Sequence, residues 1–257
     1  MASGRAACLP RRPAELRYVP GRRAPAHERE MSTERTRRPV PQQWAIWLAI
    51  EGDLRFLSHH EMMRTVERLV ARAQLPVRYS QGFNPRPKIS LASARPVGVA
   101  AAGDLLSLSL DLPVEAEKLL RELNGHAPKG MRFLQAEVLP TRSAPRLTAT
   151  DYQLELTPAK ADAVRERLAR LRCEEAWPVE RRVTPKRRDR AELTAAKRTI
   201  DLKPLLASVS LQATTLRVTL CPAGQTWARP GEVLRLLGLD EQGDLAKTVR
   251  THAAYEF

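Results

Sequence analysis

The chain predicts an α+β fold, and three observations carry that expectation. Apolar residues recur at helical spacing twice in residues 42–140 and twice again in residues 150–257. Around them lie short segments that either alternate apolar with polar residues or run apolar for about one strand's length, as half-buried and buried strands do. Stretches rich in Pro and charge, at 1–41 and 140–149, divide the 257 residues into a tail and two units of ordinary domain size.

In the first unit, residues 43–50 (QWAIWLAI) form an apolar run with two Trp, fit for a buried strand. A polar break at 51–53 leads to RFLSHHEMMRTVERLVARAQLP (55–76). There Ser58 and Glu61 match a capping box, with Ser58 as N-cap and Glu61 three residues on. Met62, Val66, Leu69 and Ala73 then repeat at helical spacing, Met63 and Val70 widen the stripe, and Pro76 ends the helix. Residues 89–99 read as a strand interrupted by Pro96 and Gly98. Residues 103–112 (GDLLSLSLDL) alternate, predicting a strand with one wet face. A short helix over 114–123, with Leu119, Leu120 and Leu123 inward, precedes a strand over 131–139.

The second unit follows the same order. Residues 151–157 (DYQLELT) alternate as a strand, and Pro158 suits the first position of a helix carrying Ala161, Val164, Leu168 and Leu171. Residues 177–183 predict a strand, 185–190 (PKRRDR) a charged turn, and 197–206 and 208–220 two further strands. Pro230 opens a helix with Val233, Leu234, Leu236 and Leu237, closed near Gly238, and 247–257 is the last strand. With one hairpin added, both halves read β-α-β-β-α-β. The expectation is therefore a tandem of ferredoxin-like units with antiparallel sheets, at 42–140 and 150–257.

Forty-three Lys and Arg against 29 Asp and Glu give a formal net charge of +14. Such a charge bears on partners rather than on fold: nucleic acid first, then an acidic membrane surface or an acidic protein. Part of it is local. The first forty residues hold ten Arg against Glu15, Glu28, Glu30 and Glu34, are rich in Pro, and read as a disordered tail. An initiation at Met31 is the alternative reading of that tail. Cys8, Cys173 and Cys221 are scattered, so neither a zinc site nor an iron–sulfur cluster is predicted, and no metal ligands or cofactor are assigned. No apolar run is long enough to span a bilayer, and a soluble cytoplasmic protein without a membrane partner is expected.

Residues 78–90 (RYSQGFNPRPKIS) stand apart. Pro, Gly and Asn-Pro deny regular helix and impose turns, while two aromatics alternate with cations. Tyr79, Phe83, Asn84, Arg86 and Lys88 are candidate nucleic-acid contacts, with rings for stacking and cations for phosphates. The competing reading buries Tyr79 and Phe83 in the core. A second basic concentration at 181–190 adds Arg181, Arg182, Lys186, Arg187 and Arg188, either as a phosphate-tracking hairpin or as a solvated turn. Ser58, His59 and Glu61 are a candidate anion site at a helix N-terminus, and His59 is the one candidate general acid/base. The competing reading has Ser58 and Glu61 merely capping the helix.

The segment 55–99 resembles the opening block of the radical SAM-linked protein family, whose function is not established. The family pattern falls on Phe56, Ser58, His59, Glu61 and Pro76, then Tyr79, Ser80, Gly82, Phe83, Asn84, Pro85 and Pro87. Weaker echoes occur in TIDLKPLL (199–206) and RPGEVLRLLGL (229–239). Glu61 stands where the family pattern has Asp, His60 replaces an apolar residue, and at 103–110 only Asp104 remains of two expected acids, with Ser107 in the second place. The resemblance implies a radical S-adenosylmethionine enzyme, encoded beside or fused to such chains, as partner. The combined expectation is an RNA-binding accessory protein for RNA modification, more an adaptor than an enzyme. A metal-independent ribonuclease using His59, or a protein-only scaffold for the radical SAM partner, are the alternatives.

Overall fold

Strands and helices alternate along the computed structural model, which describes residues 40–139, 144–183 and 196–257. The expectations placed on residues 1–39, on the 185–190 turn with Lys186, Arg187 and Arg188, and on the side chain of Arg182 lie outside the described residues. The first half runs β1 (Gln42–Ile50), α1 (His59–Arg72), β2 (Ile89–Leu91), β3 (Ala100–Leu110), α2 (Ala116–His126) and β4 (Met131–Val138). Its spatial order is β4-β1-β3 with β2 also on β3, and every pairing is antiparallel.

Local chemistry sets these elements. Ser58 caps α1 and Glu61 closes the box: the Ser58 backbone N–H donates to the Glu61 carboxylate at 2.8 Å, and the Glu61 N–H points back at the Ser58 hydroxyl. Met62, Val66, Leu69 and Val70 of α1 are buried, as their spacing requires. They pack with Leu119 and Leu123 of α2 onto Trp44, Ile46 and Leu48 of β1 and Leu106, Leu108 and Leu110 of β3. Asn124 ties α2 to β4 by exchanging two hydrogen bonds, each 2.9 Å, with the backbone of Phe133.

The second half runs β5 (Arg146–Glu155), α3 (Pro158–Leu171), β6 (Pro178–Val183), β7 (Ala196–Asp201), β8 (Leu206–Gln212), β9 (Thr215–Leu220), α4 (Pro230–Leu236) and β10 (Val249–Glu256). Pro158 occupies the first turn of α3 and Thr157 caps it. β6 and β7 form a separate two-stranded ribbon. With the ribbon set aside, the order β10-β5-β9-β8 repeats that of the first half, again antiparallel throughout. Two expectations need correction here. Residues 208–220 are not one strand: the chain reverses at Ala213, whose φ is +50°, to make the β8–β9 hairpin. Residues 197–206 divide likewise into β7, a 3-10 turn at Lys203–Leu205 and the start of β8.

The sheets are not separate antiparallel ones either. β10 runs parallel to β3 and joins both halves into one mixed eight-stranded sheet. The reason is unequal strand length. β2 has 3 residues and covers only Leu106–Leu108 of the 11-residue β3. The start of β3 is left with open backbone groups, and Val249 and Arg250 pair there with Ala100 and Ala101. An open edge of this kind attracts another strand.

The junction also overturns the wet face expected for β3. Asp104 is 4% exposed and Ser107 8%. Arg250, 1% exposed, donates from Nε (2.9 Å) and Nη2 (2.5 Å) to Asp104 Oδ1, and from Nη1 to Ser93 Oγ at 3.1 Å. Arg95 lies on the other carboxylate oxygen, with Nε 3.5 Å from Oδ2, and its Nη1 donates to the carbonyls of Arg55 and Val99. Two guanidiniums thus share one carboxylate. Burial works to lower the pKa of both cations. For Arg250 burial is opposed by the charge and hydrogen bonds of Asp104 together with Tyr152 and Tyr255, and on balance the pKa rises; for Arg95 burial prevails and it falls. Asp104 is the counter-ion of the seam between two apolar cores.

Candidate nucleic-acid interface

Residues 78–90 leave the end of α1 and return to the sheet as a closed arm. Arg78 N–H donates to Ser109 O (2.8 Å), Ser109 N–H to Lys88 O (3.0 Å) and Lys88 N–H to Arg78 O (2.7 Å), anchoring both legs beside β3. Further out, Tyr79 bridges Pro87, Ser80 N–H donates to Arg86 O (2.8 Å) and Arg86 N–H to Ser80 Oγ (2.9 Å). These bonds explain the composition. Pro85 and Pro87 restrict the returning leg, and the Ser80 hydroxyl closes the turn that carries the tip.

The tip presents its rings outward. Phe83 is fully exposed and Tyr79 is 49% exposed, so neither fills the core. Asn84, Arg86 and Lys88 are exposed beside them. Among the described residues the Arg86 and Lys88 side chains make no hydrogen bond or ion pair. At the base of the arm, Arg78 and Lys88 line a pocket of about 190 Å³ together with Gln42, Gln43 and Ser109. Among the described residues the carboxylate paired with Arg78 is a distant one, Asp111 at 3.9 Å. The arm thus carries exposed rings together with exposed cations, residue types suited to a stacked base and its backbone phosphate.

The other sequence candidates are placed differently. At the start of α1, the Ser58 hydroxyl donates to the Glu61 carboxylate at 2.6 Å, and these bonds hold the Glu61 pKa below its ordinary value. The protein's own carboxylate therefore occupies the helix N-terminus. The His59 ring meets His60 edge-on at a centroid distance of 6.0 Å, and among the described residues no side chain orients it. Arg181 is committed internally: Nε and Nη2 each lie 2.6 Å from the Glu232 carboxylate, and Nη2 also donates to Trp227 O. Burial works to raise the Glu232 pKa, but its bonds to Arg181 and to the Arg229 N–H lower it on balance. Among the described residues no three His, Cys, Asp or Glu side chains gather to hold a metal ion.

Sequence reasoning missed a cleft of about 630 Å³ between the two halves. Phe56 and Val97 line it from the first half, and Arg181, Arg229, Glu232 and Arg235 from the second. Phe56, Arg181 and the RPGEVLRLLGL segment each stand out in the sequence on other grounds, and nothing there brings them together, because they come from unconnected parts of the chain.

Fold and site together define an α+β protein which, among the described residues, has a mixed eight-stranded sheet, four helices and an outward aromatic-basic arm. The chain belongs to a family described as uncharacterized protein conserved in bacteria (DUF2344), which matches residues 44–230 and so includes the arm. That description names no enzyme, ligand or partner. No curated protein matches the chain. Among the described residues no helix is long and apolar enough to cross a membrane.

Proposed function

We propose that the protein is an RNA-binding accessory factor that works with a separate radical SAM enzyme in RNA modification. The observation that carries the RNA reading is the arm at 78–90, where Phe83 is fully exposed and Arg86 and Lys88 are exposed with charges that lack partners among the described residues. A solvent-exposed Phe on a hydrogen-bonded tip buries nothing in the monomer, whereas a stacked base would cover it. The net charge of +14 agrees with a phosphate-rich partner. The repeated strand order supports reading the chain as two ferredoxin-like units, 42–140 and 150–257, fused edge to edge. The enzyme partner rests on the resemblance of residues 55–99 to radical SAM-linked proteins.

Fluorescence polarisation with a labelled structured RNA tests the RNA reading. Phe83→Ala is expected to remove about 1–3 kcal/mol, roughly five- to 150-fold in affinity. Arg86→Ala/Lys88→Ala should flatten the plot of log affinity against log salt by about 1.4 for contacts to single strands. Affinity independent of salt, or unchanged in both variants, refutes it. If instead the arm variants abolish capture of the radical SAM enzyme in nuclease-treated extract while RNA affinity is unchanged, the protein is a scaffold.

A further inference from the structure

We propose that the cleft between the two halves is a binding site for a nucleoside monophosphate unit, either free or carried as a splayed nucleotide in an RNA chain. It shares no lining residue with the arm pocket, so it stands whether or not the arm binds RNA. At about 630 Å³ it has the size of a small-ligand site.

Its two sides differ in chemistry. On one side Phe56 and Val97, 49% and 52% exposed, offer an apolar surface. The Arg55 guanidinium packs 4.8 Å from the Phe56 ring centroid and braces it. The Gly98 N–H donates to Arg55 O at 2.8 Å, pinning the 3-10 turn Gly52–Phe56 against the 92–99 segment. On the other side lie three guanidiniums in different states. Arg181 and Glu232, 14% and 4% exposed, are locked together and form a fixed wall. Arg235 donates from Nη2 to Glu180 O at 2.9 Å, which fixes its guanidinium, while Nη1 meets Glu241 at 3.4 Å with both ends about half exposed, so solvent screens that pair and an anion can replace the carboxylate. Arg229 is exposed on the rim, where its charge helps to hold the Glu232 carboxylate ionised but, among the described residues, no carboxylate lies within ion-pair distance of it.

One guanidinium outside any close ion pair and one with an exchangeable carboxylate make a site for phosphate, which matches their planar donors. An aromatic ring across the same cleft suits a planar base. Inorganic phosphate would leave that ring unused, and a cation would meet three arginines. The juxtaposition of a braced ring with two available guanidiniums fits a nucleotide.

Isothermal titration calorimetry of the full chain with AMP, GMP, CMP, UMP and inorganic phosphate tests this, alongside polarisation with labelled RNA. At least one nucleotide should saturate one site per chain and bind more tightly than phosphate. Arg229→Ala/Arg235→Ala should weaken it about tenfold or more, and Phe56→Ala should erase any preference among bases. Glu241→Gln, at an exposed position, should tighten binding by releasing Arg235, an effect that a purely structural role would not produce. Arg86→Ala/Lys88→Ala should leave nucleotide binding intact. If the cleft variants weaken RNA binding as well, the nucleotide is carried by RNA; if RNA binding is unmoved, it is free. Failure of all four nucleotides to bind, with RNA binding insensitive to Arg229→Ala/Arg235→Ala, overturns the proposal. So does phosphate binding as tightly as every nucleotide.

Discussion

Replacing Asp104 with Ala tests the seam directly. The carboxylate accepts two hydrogen bonds from Arg250 and faces Arg95, and all three side chains are at most 6% exposed. Its removal leaves two buried guanidiniums without a counter-charge. Breaking a buried pair on one side costs about 3–5 kcal/mol, because the remaining charge stays desolvated. Domains typically have only about 5–15 kcal/mol of total stability. For a unit the size of Pro39–Phe257, each kcal/mol moves the melting midpoint by about 2–4 °C, so the midpoint should fall by about 6–20 °C. Asp104→Asn, which keeps an acceptor but no charge, should fall between wild type and Asp104→Ala. Removing one cation as well, in Asp104→Ala/Arg250→Met, should recover part of the loss. Urea and thermal denaturation followed by circular dichroism measure all three. A loss below about 1 kcal/mol in Asp104→Ala would mean that water reaches the cluster, and the reasoning would fail.

Two further outcomes follow from named contacts. The folded-state pKa values of Glu232 and Asp244 lie below the ordinary 4.5 and 3.8, although burial opposes this, because Arg181 and Lys160 respectively hold the carboxylates ionised. Their stabilisation is fully present above those ordinary values and is lost as pH falls through the lowered ones. The urea midpoint should therefore be flat near neutrality and decline in acid, and Glu232→Gln should flatten part of that decline; an unchanged acid limb would contradict the assignment. Gly130→Ala should destabilise by about 1–3 kcal/mol. Its φ is +90° and a Cβ would come within 2.5 Å of Glu51 O, the carbonyl of the residue whose own N–H donates to Gly130 O. A melting midpoint equal to wild type would refute this.

What could be read in the sequence was local. The α1 start was legible because Ser58 and Glu61 carry a reciprocal cap, and its buried face because Met62, Val66 and Leu69 keep helical spacing. The β8–β9 turn was not, since Ala213 and Thr214 lack the Gly, Asn or Pro that marks most reversals. The burial of Asp104 was hidden for a different reason: its partner Arg250 lies 146 residues away, and alternation along β3 reports only the strand's own pattern. The arm was legible as an irregular aromatic-basic segment, though whether its rings pointed in or out depended on bonds to Ser109. The cleft depended on tertiary packing throughout, since Phe56 and Arg235 line it from different halves of the chain.

The pairing of β10 with β3 has a kinetic consequence. The pairings of the first half already join distant residues, out to Trp44 with Val138, but the seam closes only when segments separated by some 146 residues meet. Loop closure of that length is entropically costly and slows the contacts that depend on it. Until then, the opening residues of β3 keep unpaired backbone groups, and Asp104 and Arg95 wait without their third member. A species with a formed first half and an undocked β10 would expose a strand edge to any extended chain nearby. Refolding at rising protein concentration should therefore lose yield at this step, and a charged substitution of Ala101, whose backbone pairs with Arg250, should worsen the loss.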